Sequence, residues 1–284
     1  MRLAAVLQAL DNDHFAALDR IEAPRATREQ LARAHDLALL DLVLDDAPHA
    51  GLRQLDADTA MSAGSGEAAL RAAGALCAAV DLVMRGPIRR AFCAVRPPGH
   101  HATAQTAMGF CLFNNIAVGA AHALAAHGLA RVAVIDFDVH HGNGTQDIFW
   151  SDARVLYAST HQSPLYPGSG ARLDRGVGNI VNAPLPPGAG SKEFRAAIET
   201  IVLPALDAFA PELVLISAGF DAHKLDPLAN LSLETADYTW VTERLVEVAD
   251  THAQGRIVSS LEGGYSLTAL RESSAAHVAA LFDA

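Results

Sequence analysis

The chain of 284 residues is 51% hydrophobic and 19% charged, which is ample for a sizeable core, and its low aromatic content (6%) with abundant Ala favours helix–sheet packing over an all-β design. A formal net charge of −11 excludes general nucleic-acid binding, which needs a basic surface, and mildly favours cationic ligands. No apolar run reaches the ~18 residues of a membrane span; Leu3–Leu7 is too short for a signal-peptide core, and Cys77, Cys93 and Cys111 form no close pair, so a soluble cytoplasmic protein without membrane contact is expected.

In chain order, Thr27 followed by Gln30 reads as a capping box opening a helix. A helix over Ala68–Met84 then precedes a strand over Ala91–Val95. Next come a helix over Asn115–His127 and strands over Val132–Asp136 and Val155–Ser159. The pattern closes with helix Ser191–Phe209, strand Leu213–Ser217, helix Glu234–His252, strand Ile257–Leu261 and helix Leu267–Phe282. The strands are near-continuously apolar, as in a parallel sheet covered on both faces. Alternation of this kind predicts an α/β fold: one open, doubly wound, mostly parallel sheet with helices on both faces. No repeat or linker interrupts it, and the Gly/Pro-rich stretches Pro97–Gly99, Pro164–Gly170 and Pro184–Gly190 read as loops within a single domain spanning 1–284.

The polar clusters fall at the carboxyl ends of these strands, where open α/β sheets bind ligands. Arg96-Pro97-Pro98-Gly99-His100-His101 follows one strand and precedes Gly109-Phe110, whose Gly would let backbone approach a ligand. Asp136-Phe137-Asp138-Val139-His140-His141-Gly142-Asn143-Gly144 closes another. There Asp136, Asp138 and His140 alternate along extended chain and project together. A metal would offset so much buried negative charge. Asp221, in Ser217-Ala218-Gly219-Phe220-Asp221-Ala222-His223, can complete a three-ligand set with Asp138 and His140; oxygen and nitrogen donors without thiolate suit catalytic Zn²⁺, though Fe²⁺ or Co²⁺ fits the same ligands. Leu261-Glu262-Gly263-Gly264-Tyr265 runs from a strand into a Gly-Gly turn.

Together these motifs resemble the zinc-dependent histone deacetylase and acetylpolyamine amidohydrolase family, within the arginase–deacetylase superfamily. Asn143 and the Leu261–Tyr265 wording are similar to its class II branch. The resemblance implies removal of acetyl groups from acetyl-lysine or acetylpolyamines, with one Zn²⁺ on Asp138, His140 and Asp221. It implies that His100, backed by Asp136, and His101, oriented by Asn143, form a dyad, and that Tyr265 donates to the acetyl oxygen. Gly109, Phe110 and Tyr166 would line a narrow channel, with Asp58 as a rim carboxylate. It further implies K⁺ beside the zinc, held by Asp136, Asp138, His140, Ser159 and the Thr160 carbonyl, and a second K⁺ on carbonyls within Phe149–Val155. Leu228, in Asp226-Pro227-Leu228, stands where a polyamine-selective relative has Glu, which favours acetyl-lysine peptides or a broad range of acetylated amines.

Family members begin with an additional strand and a rim loop, whereas this sequence starts at Met1-Arg2-Leu3, inside what resembles the following helix. A strand expected over Asp19–Ala23 would then have an unpaired edge, to be covered, left disordered or paired with another chain, so a homo-oligomer is among the expected partners. Two other readings remain: a two-metal, arginase-like hydrolase, which would need further bridging carboxylates, and a pseudoenzyme that binds acetylated ligands without turnover.

Overall fold

A computed structural model describes residues 1–283. In chain order its helices are α1 (Arg2–Ala9), α2 (Arg28–Leu31), α3 (Leu37–Leu44), α4 (Ser65–Arg85), α5 (Asn115–His127), α6 (Asn143–Phe149), α7 (Ser191–Ala197), α8 (Leu203–Phe209), α9 (Thr235–His252) and α10 (Leu267–Phe282). A short hairpin pairs β1 (Arg53–Gln54) with β2 (Ala60–Met61). The main sheet comprises β3 (Arg90–Cys93), β4 (Val132–Asp136), β5 (Val155–Gln162), β6 (Ile180–Leu185), β7 (Leu213–Ala218) and β8 (Ile257–Leu261). Its six strands run parallel in the order β3-β8-β7-β4-β5-β6.

Alternate residues of the central strands enter two different cores. Val132, Val134, Leu213 and Leu215 pack with Leu76, Val80, Ile116 and Val118 of α4 and α5. Ala133, Ile135, Val214 and Ile216 pack on the other face with Tyr238, Leu245, Leu270 and Val278 of α9 and α10. The period-2 alternation of strand side chains therefore explains why these runs are apolar at every position. The α/β, doubly wound single domain is as the sequence predicts. The strand order reverses between β4 and β7, and this switch point positions the site.

Three local expectations change. Strand β6 includes Pro184, a residue read as loop; it is tolerated because β6 is an edge strand, with a single neighbour to hydrogen-bond. The helix expected over Ser191–Phe209 forms, but a wider π turn at Ile198–Val202 separates α7 from α8. Pro204, which lacks an N–H, lies two residues beyond it and removes one regular helical bond. Asp19–Ala23 is not a strand. Among the described residues no strand pairs with it, and a cleft of about 740 Å³, lined by Leu10, Leu18, Ala79, Phe92, Val278 and Leu281, lies along it and β3.

Two buried histidines are held neutral by complete hydrogen bonding. In the α9–α10 core, the Thr242 hydroxyl donates to the Tyr238 carbonyl (2.6 Å), so it accepts from His277 Nδ1–H (2.6 Å), while Ser259 donates to Nε2 (2.8 Å). His35 Nδ1–H donates to the Thr103 carbonyl (2.9 Å) and Nε2 accepts the Asn114 amide (2.9 Å). Burial pushes His277 down to about 3 and His35, despite its carbonyl partner, down to about 4, from an ordinary 6.5. Both values are depressed, so the stability tied to the neutral rings is complete above pH 6.5 and is lost as the pH falls toward 4 and then 3. His35 alone accounts for about 3 kcal/mol. The drop in urea-unfolding midpoint between pH 6.5 and 4 should therefore be smaller in His35→Gln than in wild type; an equal drop in the two proteins would rule this out.

Candidate active site

Parallel pairing of β4 with β7 sets Asp136 opposite Ser217, so the loops leaving the two strands emerge side by side. Asp136 has no solvent exposure, and Asp138 and Asp221 have 1% each. Backbone donors meet them at once. Asp136 Oδ1 accepts the Asp138 amide (3.1 Å), Asp138 Oδ1 accepts the His140 amide (2.9 Å), and Asp221 Oδ1 accepts the Val139 amide (2.9 Å). A third loop closes in from β8, where the Gly263 amide donates to Asp138 Oδ2 (2.8 Å). Glycine is required for that approach: a Cβ on Gly263 would lie 2.0 Å from Asp221 Oδ2, and one on Gly219 would lie 2.1 Å from Asp138 Oδ2.

Asp138, His140 and Asp221 fit a metal ion. Their donor atoms lie within 4.8 Å of one another. His140 Nδ1 is 3.1 Å from both Asp138 Oδ1 and Asp221 Oδ2. Burial opposes a charged His140, but its bonds to Asp138 and Asp221 outweigh this and lift it to about 10. Burial also raises Asp221 to about 6, with the Asp138 charge adding to the rise. The set thus calls for a positive charge between its donors, and a divalent cation supplies one.

A second group, Asp81, His122 and His127, also has its donor atoms within 4.8 Å. Here Arg33 donates to His122 Nδ1 (2.8 Å), which leaves the proton on Nε2, where it is given to Asp81 (3.0 Å); His127 donates to the same oxygen (2.7 Å). With its imidazole proton on the ligand side and guanidinium beside it, this cluster is satisfied without a metal.

His100 and His101 lie next to the acidic set, their rings 4.1 Å apart. His100 Nδ1 bonds Asp136 Oδ2 (2.9 Å), which also accepts the Tyr157 hydroxyl (3.1 Å). Burial disfavours charge on His100, yet Asp136 and Asp138 raise it well above the usual value. Burial, reinforced by the neighbouring His100, drives His101 well below it. Asn143 Nδ2 donates to the His101 carbonyl (3.3 Å), so Asn143 Oδ1 is the acceptor for His101 Nδ1–H (2.8 Å). His101 therefore presents an unprotonated Nε2.

The expected wall residues surround this pair. Tyr166 meets His101 edge-on (centroids 5.1 Å) and His140 at 6.3 Å, while Phe110 stands 6.1 Å from Tyr265. Gly109 adopts φ +57°, and a Cβ there would lie 2.4 Å from the His101 ring. Asp58 is exposed, and its Oδ1 accepts the Gly109 amide (3.1 Å) and the Thr59 hydroxyl (2.8 Å), so this oxygen braces the wall. Leu228 is exposed; Asp226 beside it accepts the Leu228 amide through Oδ1 (3.0 Å) and the Tyr265 amide through Oδ2 (2.6 Å). Ser159 pairs with Asp136 across the β4–β5 register and bonds His161 (2.9 Å), whereas the buried Thr160 hydroxyl has no partner. In the segment expected to hold the outer cation, the Phe149, Asp152 and Val155 carbonyls converge on Asn179 Nδ2 (2.8–3.0 Å).

Two contributors have no role in the sequence reading. Glu262 Oε2 accepts the amides of Gly99 (2.6 Å) and His100 (3.3 Å), anchoring the histidine loop from β8; burial pushes its carboxyl up to about 7. Arg2 donates to the Glu262 (2.6 Å) and Gly264 (2.5 Å) carbonyls and covers the Tyr265 ring at 4.7 Å. A carboxylate beside Gly-Gly was a visible signal for Glu262. A lone arginine in a short helix gave none.

This parallel sheet, with acids and histidines gathered at its switch point, has the arginase/deacetylase fold. Structural comparison agrees: the crystal structure of the HDA15 HD domain superposes with a TM-score of 0.92 at 38% identity, covering 98% of this chain and 80% of that one. Residues 1–281 match the histone deacetylase domain, and the chain belongs to that family of hydrolytic deacetylases. It is 40% identical to "Histone deacetylase 14, chloroplastic" of Arabidopsis thaliana, over 96% of this chain and 69% of that protein. It is 44% identical to a "Histone deacetylase-like amidohydrolase" of Pseudomonas aeruginosa (88% and 67% covered) and 38% to a "Probable deacetylase" of Archaeoglobus fulgidus (94% and 75%). Among the described residues no helix is long and apolar enough to cross a membrane.

Loss of Asp221 should empty the Asp138–His140–Asp221 set. Metal analysis after dialysis should give about one divalent ion per wild-type chain and close to none for Asp221→Ala. Equal occupancy in the two proteins would remove Asp221 as a ligand.

Proposed function

We propose that this protein is a zinc-dependent amidohydrolase that removes acetyl groups from amines, with His100 and His101 as an acid–base dyad. The observation that carries this reading is the opposite polarisation of two adjacent histidines beside a metal-fitting set: His100 paired with Asp136, His101 neutral with Nε2 unprotonated. Zinc held by Asp138, His140 and Asp221 would supply Lewis acidity, polarising the amide carbonyl and acidifying water. His101 Nε2 takes the proton from the attacking water and returns one to the departing amine nitrogen. His100 remains protonated against Asp136 and adds positive charge beside the reacting centre. Burial, with Asp221 and Asp138 nearby, raises the Tyr265 pKa, which keeps its hydroxyl protonated as a donor to the developing oxyanion.

Phe110 and Tyr166 would grip an apolar stem and exclude water around it. An acetyl-lysine side chain in a peptide, or another acetylated amine, fits such a channel; Leu228 at the rim favours these over a narrow polyamine specificity. A structural K⁺ would use Asp136, Asp138, His140, Ser159 and the Thr160 carbonyl. Ser159 supports it: with its proton on His161 Nδ1, the hydroxyl keeps lone pairs for a cation. A further K⁺ would require Asn179 to yield the Phe149–Val155 carbonyls. Three buried free thiols fit a reducing compartment such as the cytoplasm.

Tyr265→Phe tests the chemistry apart from metal binding. The ring and its packing stay while one oxyanion donor is lost, so kcat should fall ~10²–10³-fold. Metal content and KM should stay near wild type. Wild-type turnover of an acetyl-lysine peptide by Tyr265→Phe would sink the mechanism.

A further inference from the structure

The loop from Ser163 to Gly170 carries Tyr166 and follows β5 directly. Two neutral histidines hold it. His161 Nε2–H donates to the Gly170 carbonyl (3.0 Å), and its Nδ1 accepts the Ser159 hydroxyl (2.9 Å). Asn182 Nδ2 donates to Gln146 Oε1 (2.7 Å), which fixes that oxygen as the acceptor for His141 Nε2–H (3.1 Å). His141 Nδ1 is left to accept from the Ser169 hydroxyl (2.7 Å). The two rings lie 4.7 Å apart, and a Cβ on Gly170 would meet His161 Nε2 at 2.5 Å. The loop therefore closes down onto both imidazoles, three and four residues beyond Tyr166.

We infer that Ser169 is a specificity-determining positioning residue: its hydroxyl latches the loop bearing Tyr166 to His141, the neighbour of His140 in sequence. The width of the stem channel is thereby set from the side of the metal-fitting residues. Tyr166 stands edge-on to His101 and His140, so a small swing of this loop opens the channel without moving either histidine. Ser169 is exposed apart from this bond, which makes its removal compatible with folding.

The inference rests on the amidohydrolase reading for its kinetic consequence, though not for its geometry, and the test separates the two. The chain has four tyrosines, so ¹⁹F spectra of the 3-fluorotyrosine-labelled protein give one line each, with Tyr166→Phe assigning the Tyr166 line. Ser169→Ala should shift or broaden that line while leaving bound metal at the wild-type level. With an acetyl-lysine peptide, KM should rise about three- to tenfold, the worth of one hydrogen bond, and kcat should stay within about twofold. Ser169→Thr, which restores the hydroxyl, should restore both line and KM. An unmoved line in Ser169→Ala, a moved line with unchanged KM in an active enzyme, or no rescue by threonine overturns the assignment. A moved line restored by threonine, in a wild-type protein that turns over no acetylated amine, upholds the latch and defeats the amidohydrolase reading.

Discussion

The constraint on which this structure depends is four carboxylates, Asp136, Asp138, Asp221 and Glu262, each at most 1% exposed and gathered at one end of the sheet. Charge buried on this scale is destabilising unless every oxygen finds a donor. Peptide amides supply most of them, because the four loops turn back over the strand ends with their N–H groups inward. Glycine at positions 219 and 263 makes that density attainable, since a side chain there would occupy the carboxylates' own space. The Gly-rich wording of the motifs is thus a packing requirement of the acidic cluster before it is anything chemical.

The same cluster separates two neighbouring histidines. His100 faces Asp136 and Asp138, and their charges overcome its burial; His101 faces an amide, and burial prevails. A ring separation of 4.1 Å sharpens the contrast, because charge on the first ring penalises charge on the second. A difference of one partner, carboxylate against Asn143, is therefore enough to give adjacent identical side chains unlike roles.

Much of this was legible in the sequence because it was written in local patterns. Apolar runs such as Val132–Asp136 and Leu213–Ser217 marked buried strands, and the polar residues just beyond them marked the ligand-binding edge. Alternation along the chain groups Asp136, Asp138 and His140 in the sequence, although β4 stops at Asp136 and the other two lie in the loop beyond it. What stayed hidden depends on contacts between distant segments. Asp19–Ala23 has strand-like composition in part, but a strand exists only with a neighbour. Pro184 signals a loop unless one knows that β6 is an edge. Asp58 reads as a rim carboxylate, and its brace on the Gly109 amide joins residues 51 apart, which no local pattern announces.

Arg2 carries this dependence furthest. Its acceptors, the carbonyls of Glu262 and Gly264, lie some 260 residues later in the chain. During synthesis the first helix leaves the ribosome without them. At ordinary elongation rates its arginine waits on the order of tens of seconds for the last strand to appear. Over that interval α1 can have neither α10 beneath it nor Tyr265 under its guanidinium. Residues of α1 are thus among the last to reach their native contacts, and the turn bearing Tyr265 gains the Arg2 brace only once both segments have emerged.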